Sequence, residues 1–200
     1  MRIYTDSRQL PERRIILGSS GVSGCPGGPF AAIDEGVNFL DNAWCYHDGE
    51  SERIVGEALR GGYRDRVFLM TKNHGRDGKT FKQQLDESLR RLETDHADLL
   101  QFHNILAEDD PERTFSEGAI EAVLEAKRLG KIRFIGFSGH RWPHLFRRML
   151  EKDFPWDTVQ HPVNRLNAQY RSFTREALPI LNERAMPWAG SDGLEDYKQE

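Results

Sequence analysis

Cysteine is scarce: Cys25 and Cys45 are the only two in 200 residues. They are too few for a disulfide framework and lack CxxC spacing, so both are read as reduced thiols, as in the cytosol. Long apolar runs are missing. No stretch approaches the roughly 18 consecutive apolar residues of a membrane span, and the N-terminal MRIYTDSRQLPERR has no signal-peptide core. An excess of one charge is missing as well. Against 28 Lys and Arg stand 32 Asp and Glu, a net charge of -4 with the signs interspersed, which removes the electrostatic footprint of a nucleic-acid binder. These absences lead to the expectation of a cytoplasmic protein that acts on a small molecule, with no nucleic-acid or membrane partner.

Phosphate-loop signatures are absent too. The glycine-rich GSSGVSGCPGGP follows a short strand candidate, Arg13 to Leu17, but contains neither GxGxxG nor a closing Gly-Lys-Ser/Thr. Phe30 to Glu35 offers little helix before Gly36, so no phosphate cradle on a helix N-terminus is expected. The stretch reads as a mobile loop over a pocket.

What is present is a repeated unit of apolar strand, polar strand end, loop and amphipathic helix. VNFL ends at Asp41, VFLMT at Lys72, ADLLQF at His103, IRFIGF at Ser138 and a weaker TV at Gln160. The intervals are close to the roughly 30 residues of a βαβ unit, the last being shorter. Helices are expected over Glu50 to Leu59 with Ser51 as N-cap, Thr80 to Leu92 with Thr80 as cap, and Glu117 to Leu129 ending at Gly130. Two more are expected over Pro143 to Leu150 and over Phe173 to Leu181, the latter broken near Pro179. Continuously apolar strands alternating with amphipathic helices imply a parallel sheet covered by helices. Polar residues at successive strand ends favour a (β/α)8 TIM-barrel type over an open sheet. The expected organisation is one domain over residues 1–200, an incomplete barrel of about six βα units, with 190–200 as a polar tail.

If the strands ending near Asp41, Lys72 and His103 are neighbours, their ends lie about 5 Å apart, and Asp41, Tyr46, Lys72 and His103 converge. A tyrosine of ordinary pKa about 10 is a poor proton donor at neutral pH. A lysine cation beside it favours the phenolate, and a carboxylate keeps that lysine charged and placed. A histidine opposite can hold a substrate oxygen as negative charge develops. Such a set suits protonation of a carbonyl oxygen while hydride arrives at carbon.

The motifs GVNFLDNAWCYHDGESERIVGEAL, FLMTKNHGR, LRRLETDHADLLQFHN and GKIRFIGFSGH, within Gly36 to Ala177, resemble the aldo-keto reductase family. The resemblance implies a (β/α)8 barrel that reduces aldehydes or ketones with NADPH, or with NADH in its place. It implies Tyr46 as proton donor, Asp41 and Lys72 as its tuning pair, and His103 as substrate orienter. It further implies Ser138 and Gln160 at the nicotinamide carboxamide, Asn164 nearby, and Trp44 or Trp142 in the substrate pocket. The sequence departs from the family in its short first helix, in Gly139 after Ser138, in Cys45 beside Tyr46, and in lacking the later units that grip the cofactor's phosphates. Those departures keep a non-catalytic relative or binding subunit as an alternative. A metal-dependent barrel hydrolase using Asp41, His103, His140 and His161 is a second alternative, although the favoured reading needs no metal.

Overall fold

Strands form where the apolar runs stand, and their residues alternate between the inside of a curved sheet and the helices around it. The computed structural model describes residues 2–4, 16–18, 28–164 and 169–191. Cys25, most of the glycine-rich loop, Arg13 to Ile15 and the tail past Ser191 lie outside the described residues.

The strands are β1 (Arg2–Tyr4), β2 (Ile16–Gly18), β3 (Phe39–Asp41), β4 (Phe68–Asn73), β5 (Ala97–Phe102), β6 (Ile132–Ser138), β7 (Thr158–Pro162) and β8 (Trp188–Ser191). They form one sheet in the order β1-β8-β7-β6-β5-β4-β3-β2. From β2 to β8 every neighbouring pair is parallel, and β1 adds antiparallel to β8. The sheet is strongly curled. Strands β3 and β7 are four places apart, about 19 Å in a flat sheet, yet Gln160 Nε2 on β7 donates to Asp41 Oδ2 on β3 at 3.1 Å. This is the wall of an incomplete (β/α)8 barrel, with a seventh parallel strand and β1 beyond the six strands that the sequence pattern marks.

The pleat sorts the side chains. Phe39, Phe68, Met70 and Leu99, with Phe134 against them, form a small inner cluster. Phe39 and Phe68 stack at 5.0 Å, and Phe68 and Phe134 at 6.0 Å. One pleat further along the strands, the same face carries Asp41, Lys72, Gln101, Ser138 and Gln160. The barrel interior is thus apolar towards the strand starts and polar at the strand ends, where chemistry sits in such folds. The opposite face supplies Leu40 and Leu69 to one outer core, and Leu100, Phe102, Ile135, Phe137 and Val159 to another.

The outer layer is α1 (Gly28–Asp34), α2 (Glu50–Ala58), α3 (Gly78–Arg91), α4 (Asp110–Ser116), α5 (Ala119–Arg128), α6 (Pro143–Glu151), α7 (Phe173–Glu176) and α8 (Leu178–Glu183). Two expected caps are corrected. Helix α2 starts from Gly49 in the left-handed conformation, not from Ser51, which is buried inside it. Asp77 caps α3 by accepting from the Thr80 amide at 2.8 Å, so Thr80 lies inside the first turn. The expected break near Pro179 falls at Ala177, with the proline in the first turn of α8. Helix α4 was not marked by any periodicity in the sequence. Among the described residues no helix is long and apolar enough to cross a membrane.

Candidate active site

Lys72, one residue before the end of β4, points into the curl and is 1% exposed. A lone buried ammonium would be costly, and the site supplies it with partners. Its Nζ donates to Asp41 Oδ1, to the Asn42 carbonyl at 3.1 Å and to the Tyr46 hydroxyl at 3.3 Å. Burial pulls the Lys72 pKa down, but the Asp41 carboxylate and Tyr46 outweigh it and hold the ammonium above its ordinary value. The cation and its carboxylate are a buried ion pair.

Tyr46 sits in a tight turn, Tyr46–Gly49, in which His47, Asp48 and Gly49 all have positive φ, 50°, 53° and 85°. Its ring meets His103 edge-on, with centroids 6.0 Å apart and planes at 87°. One expectation is reversed here. Burial raises the phenol above its ordinary value, and the Asp41 carboxylate adds to this, together exceeding the pull of Lys72 in the other direction. Tyr46 therefore rests as the neutral phenol, the form that can give up a proton. His103 rests neutral as well, because burial, with the Lys72 cation next, pushes it well below its ordinary value.

Ser138 and Gln160 are in the same polar layer. The Ser138 hydroxyl pairs with His103 Nδ1 at 3.0 Å, and Gln160 holds Asp41 as described. Asn164 is half-buried in the segment past β7. Trp44 is beside His74 at 6.5 Å and its indole N–H donates to Glu87 at 2.8 Å. Trp142 lies under the Arg171 guanidinium, 4.1 Å from its ring centre.

The hydrolase ligand set is gathered only in part: His140 meets His103 edge-on with centroids 6.3 Å apart, but His161 is not with them. Because Gln160 faces the interior, the next residue faces out, and His161 is buried between Phe173 and Trp188 in the outer core, 5.4 and 5.2 Å from them. Its Nδ1 donates to the Pro162 carbonyl at 3.1 Å.

Two arginines outside the expected set hold the site together. Arg91 on α3 donates to the Trp44 carbonyl at 3.1 Å and to the fully buried Glu52 at 3.3 Å. Its guanidinium packs so closely on Gly49 that a Cβ there would lie 2.5 Å from it, so Arg91 clamps the turn that presents Tyr46. Arg76 pairs with Asp110 at 2.8 Å and donates to the carbonyls of His74 at 3.3 Å and His103 at 2.7 Å. Arg76 lies in the loop between β4 and α3 and Arg91 ends α3 among other charged residues, and in neither place does the sequence pattern give a signal that separates them from surface cations.

The aldo/keto reductase family model matches residues 30–188. Aldo-keto reductase AMT2 of Alternaria alternata is 31% identical over an alignment covering 79% of this chain and 52% of the relative. Among solved structures, the holo form of aldo-keto reductase AKR11C1 from Bacillus halodurans superposes with a TM-score of 0.73 at 27% identity, covering 93% of this chain and 64% of that one. An aldo/keto reductase from Klebsiella pneumoniae in complex with NADP and acetate gives a TM-score of 0.68 at 26% identity, covering 88% and 62%. The chain spans about half the length of the curated relatives it matches.

Proposed function

Because the chain belongs to the aldo/keto reductase family, we propose that its polar strand-end layer reduces the carbonyl of an aldehyde or ketone to an alcohol, using NADPH or NADH. The observation that carries this reading is the buried Lys72 Nζ joining Asp41 to the Tyr46 hydroxyl, with His103 edge-on to the same ring. When bound, the reduced nicotinamide supplies hydride to the carbonyl carbon.

The chain's own residues do the rest. The Tyr46 O–H donates its proton to the carbonyl oxygen as that oxygen gains negative charge. Lys72, held charged by Asp41, stabilises the phenolate left behind. His103, neutral and tied through Nδ1 to Ser138, keeps its other ring nitrogen to orient the carbonyl oxygen by hydrogen bonding. The donor set fits a nicotinamide carboxamide. A Ser138 hydroxyl that donates to His103 keeps oxygen lone pairs for an amide N–H, and Gln160 carries both an amide donor and an acceptor. Asn164 beside them, and Trp44 or Trp142 at the substrate, complete the assignment.

Absorbance of NADPH during turnover of an aromatic aldehyde tests the reading. Tyr46→Phe is expected to lower the rate by about 10²–10⁴-fold with an unchanged melting temperature. Full activity in that variant rules out Tyr46 as the donor. No turnover and no thermal shift with millimolar NADPH would instead support a binding relative.

A further inference from the structure

The turn that presents Tyr46 also presents Cys45, which the proton-transfer set does not use. Its Sγ lies 3.1 Å from Nε2 of His74, the residue just past β4. The rings of His74 and His103 meet edge-on with centroids 4.8 Å apart. One ligand atom from each of Cys45, His74 and His103 lies within 4.8 Å of the other two.

We infer that Cys45, His74 and His103 form a site for a thiophilic divalent cation, zinc above all, with a fourth coordination position open to the mouth of the barrel. One sulfur and two imidazole nitrogens, with no oxygen donor in the set, suit zinc and not calcium or magnesium. Tetrahedral zinc places such atoms about 3.4–3.6 Å apart, so the cluster needs only side-chain adjustment to close. The surroundings match a metal site in two further ways. Ser138 holds Nδ1 of His103, as outer partners fix the ring of a ligating histidine. Arg76 holds the backbone carbonyls of both His74 and His103. Each neighbouring cation already has a buried carboxylate of its own, Lys72 with Asp41 and Arg76 with Asp110.

Burial keeps Cys45 a thiol and both histidines neutral. Binding therefore breaks one S–H bond, forms one S–metal bond and two N–metal bonds, shifts the His103 proton from Nε2 to Nδ1, where it is donated to Ser138, and releases about one proton to solvent per ion. There is no redox change. The consequence for catalysis rests on the reductase reading above: a metal that takes Nε2 of His103 removes the group that orients the carbonyl, so zinc competes with substrate.

Cobalt titrated into the metal-free, reduced full chain gives the test. The expected result is saturation at about one equivalent, with a thiolate-to-cobalt absorption in the near ultraviolet and the intense visible bands of tetrahedral cobalt, both erased by zinc. Cys45→Ser is expected to lose the ultraviolet band, His74→Ala to bind about tenfold or more weakly, and Cys25→Ser to match the parent. No ultraviolet band in the parent, or an unchanged band in Cys45→Ser, overturns the site and leaves a hydrogen-bonded thiol–imidazole pair only. Unchanged affinity in His74→Ala also overturns it. In the reductase assay, stoichiometric zinc should suppress the parent and spare Cys45→Ser. Zinc that binds with this signature without slowing turnover overturns the competition. A chain with no turnover even in chelator overturns the reductase reading, and the cobalt spectrum still decides the site.

Discussion

Gln160 Nε2 donates to Asp41 Oδ2 at 3.1 Å across the barrel interior, while the other oxygen of the same carboxylate takes the Lys72 ammonium. Asp41 is thus held from β4 and from β7, and its position fixes both the lysine and the tyrosine that the lysine touches. Removing the lysine strands a buried carboxylate. Lys72→Met is expected to cost about 3–5 kcal/mol in urea unfolding, and adding Asp41→Asn should recover part of that loss. If the double variant is no more stable than Lys72→Met, the pair is not the source of the cost.

The neutral resting state of Tyr46 sets the pH profile. Burial raises the phenol above its ordinary value of 10.0, so the reductive kcat/KM should stay level through neutral pH and fall only once the donor ionises, above pH 10. A decline centred near neutral pH would mean that another group supplies the proton.

Arg91 is a positioning residue for the Tyr46 turn. Arg91→Ala leaves Glu52, at 0% exposure, without its cation, a change expected to cost about 3 kcal/mol. Because the turn also loosens, kcat should fall while Arg91→Lys restores stability more than rate, since lysine can supply the charge for Glu52 but not the flat guanidinium that packs on Gly49 and over the Trp44 ring. Equal loss of rate in both variants, with stability restored by lysine, would fit this role; full activity in Arg91→Ala would exclude it.

His161 makes stability depend on pH. Burial lowers its pKa from 6.5 to about 4. Between those values the unfolded chain binds a proton that the native chain does not, so stability falls as pH drops through this window. The loss amounts to roughly 3 kcal/mol once pH is below the folded value. His161→Phe keeps the ring stacking and should flatten that part of a stability–pH curve measured by urea unfolding; a curve as steep as the parent's would place the titration elsewhere.

The strand ends were legible because continuous apolar runs stop at or beside them: Asp41 and Ser138 close their strands in the structure, Lys72 stands one residue before the end of its strand, and His103 follows its strand directly. Strand β8, WAGS, and the three-residue β1 offered no comparable run. Burial was harder to read than position. The sequence shows that Lys72 is near Tyr46, which argues for a lowered phenol pKa, whereas the desolvation that raises it depends on packing from several elements. Likewise His161 is next to a strand-end residue in sequence but lies on the opposite face, a distinction that rests on the one-residue phase of the pleat. Arg76 and Arg91 act through backbone carbonyls brought together from distant loops, and no local pattern marks such contacts.

The contact between Gln160 and Asp41 joins residues 119 positions apart, whereas Asp41, Tyr46 and Lys72 lie within one βαβ unit. Closing the longer loop costs more chain entropy before any contact offsets it. The Gln160 contact is therefore expected to form after the proton-transfer group, which would show as faster unfolding and an unchanged folding rate in Gln160→Leu. A bond made after the folding barrier slows unfolding without speeding folding, and in that role Gln160 would be a latch whose strength sets how long the site, once made, stays made.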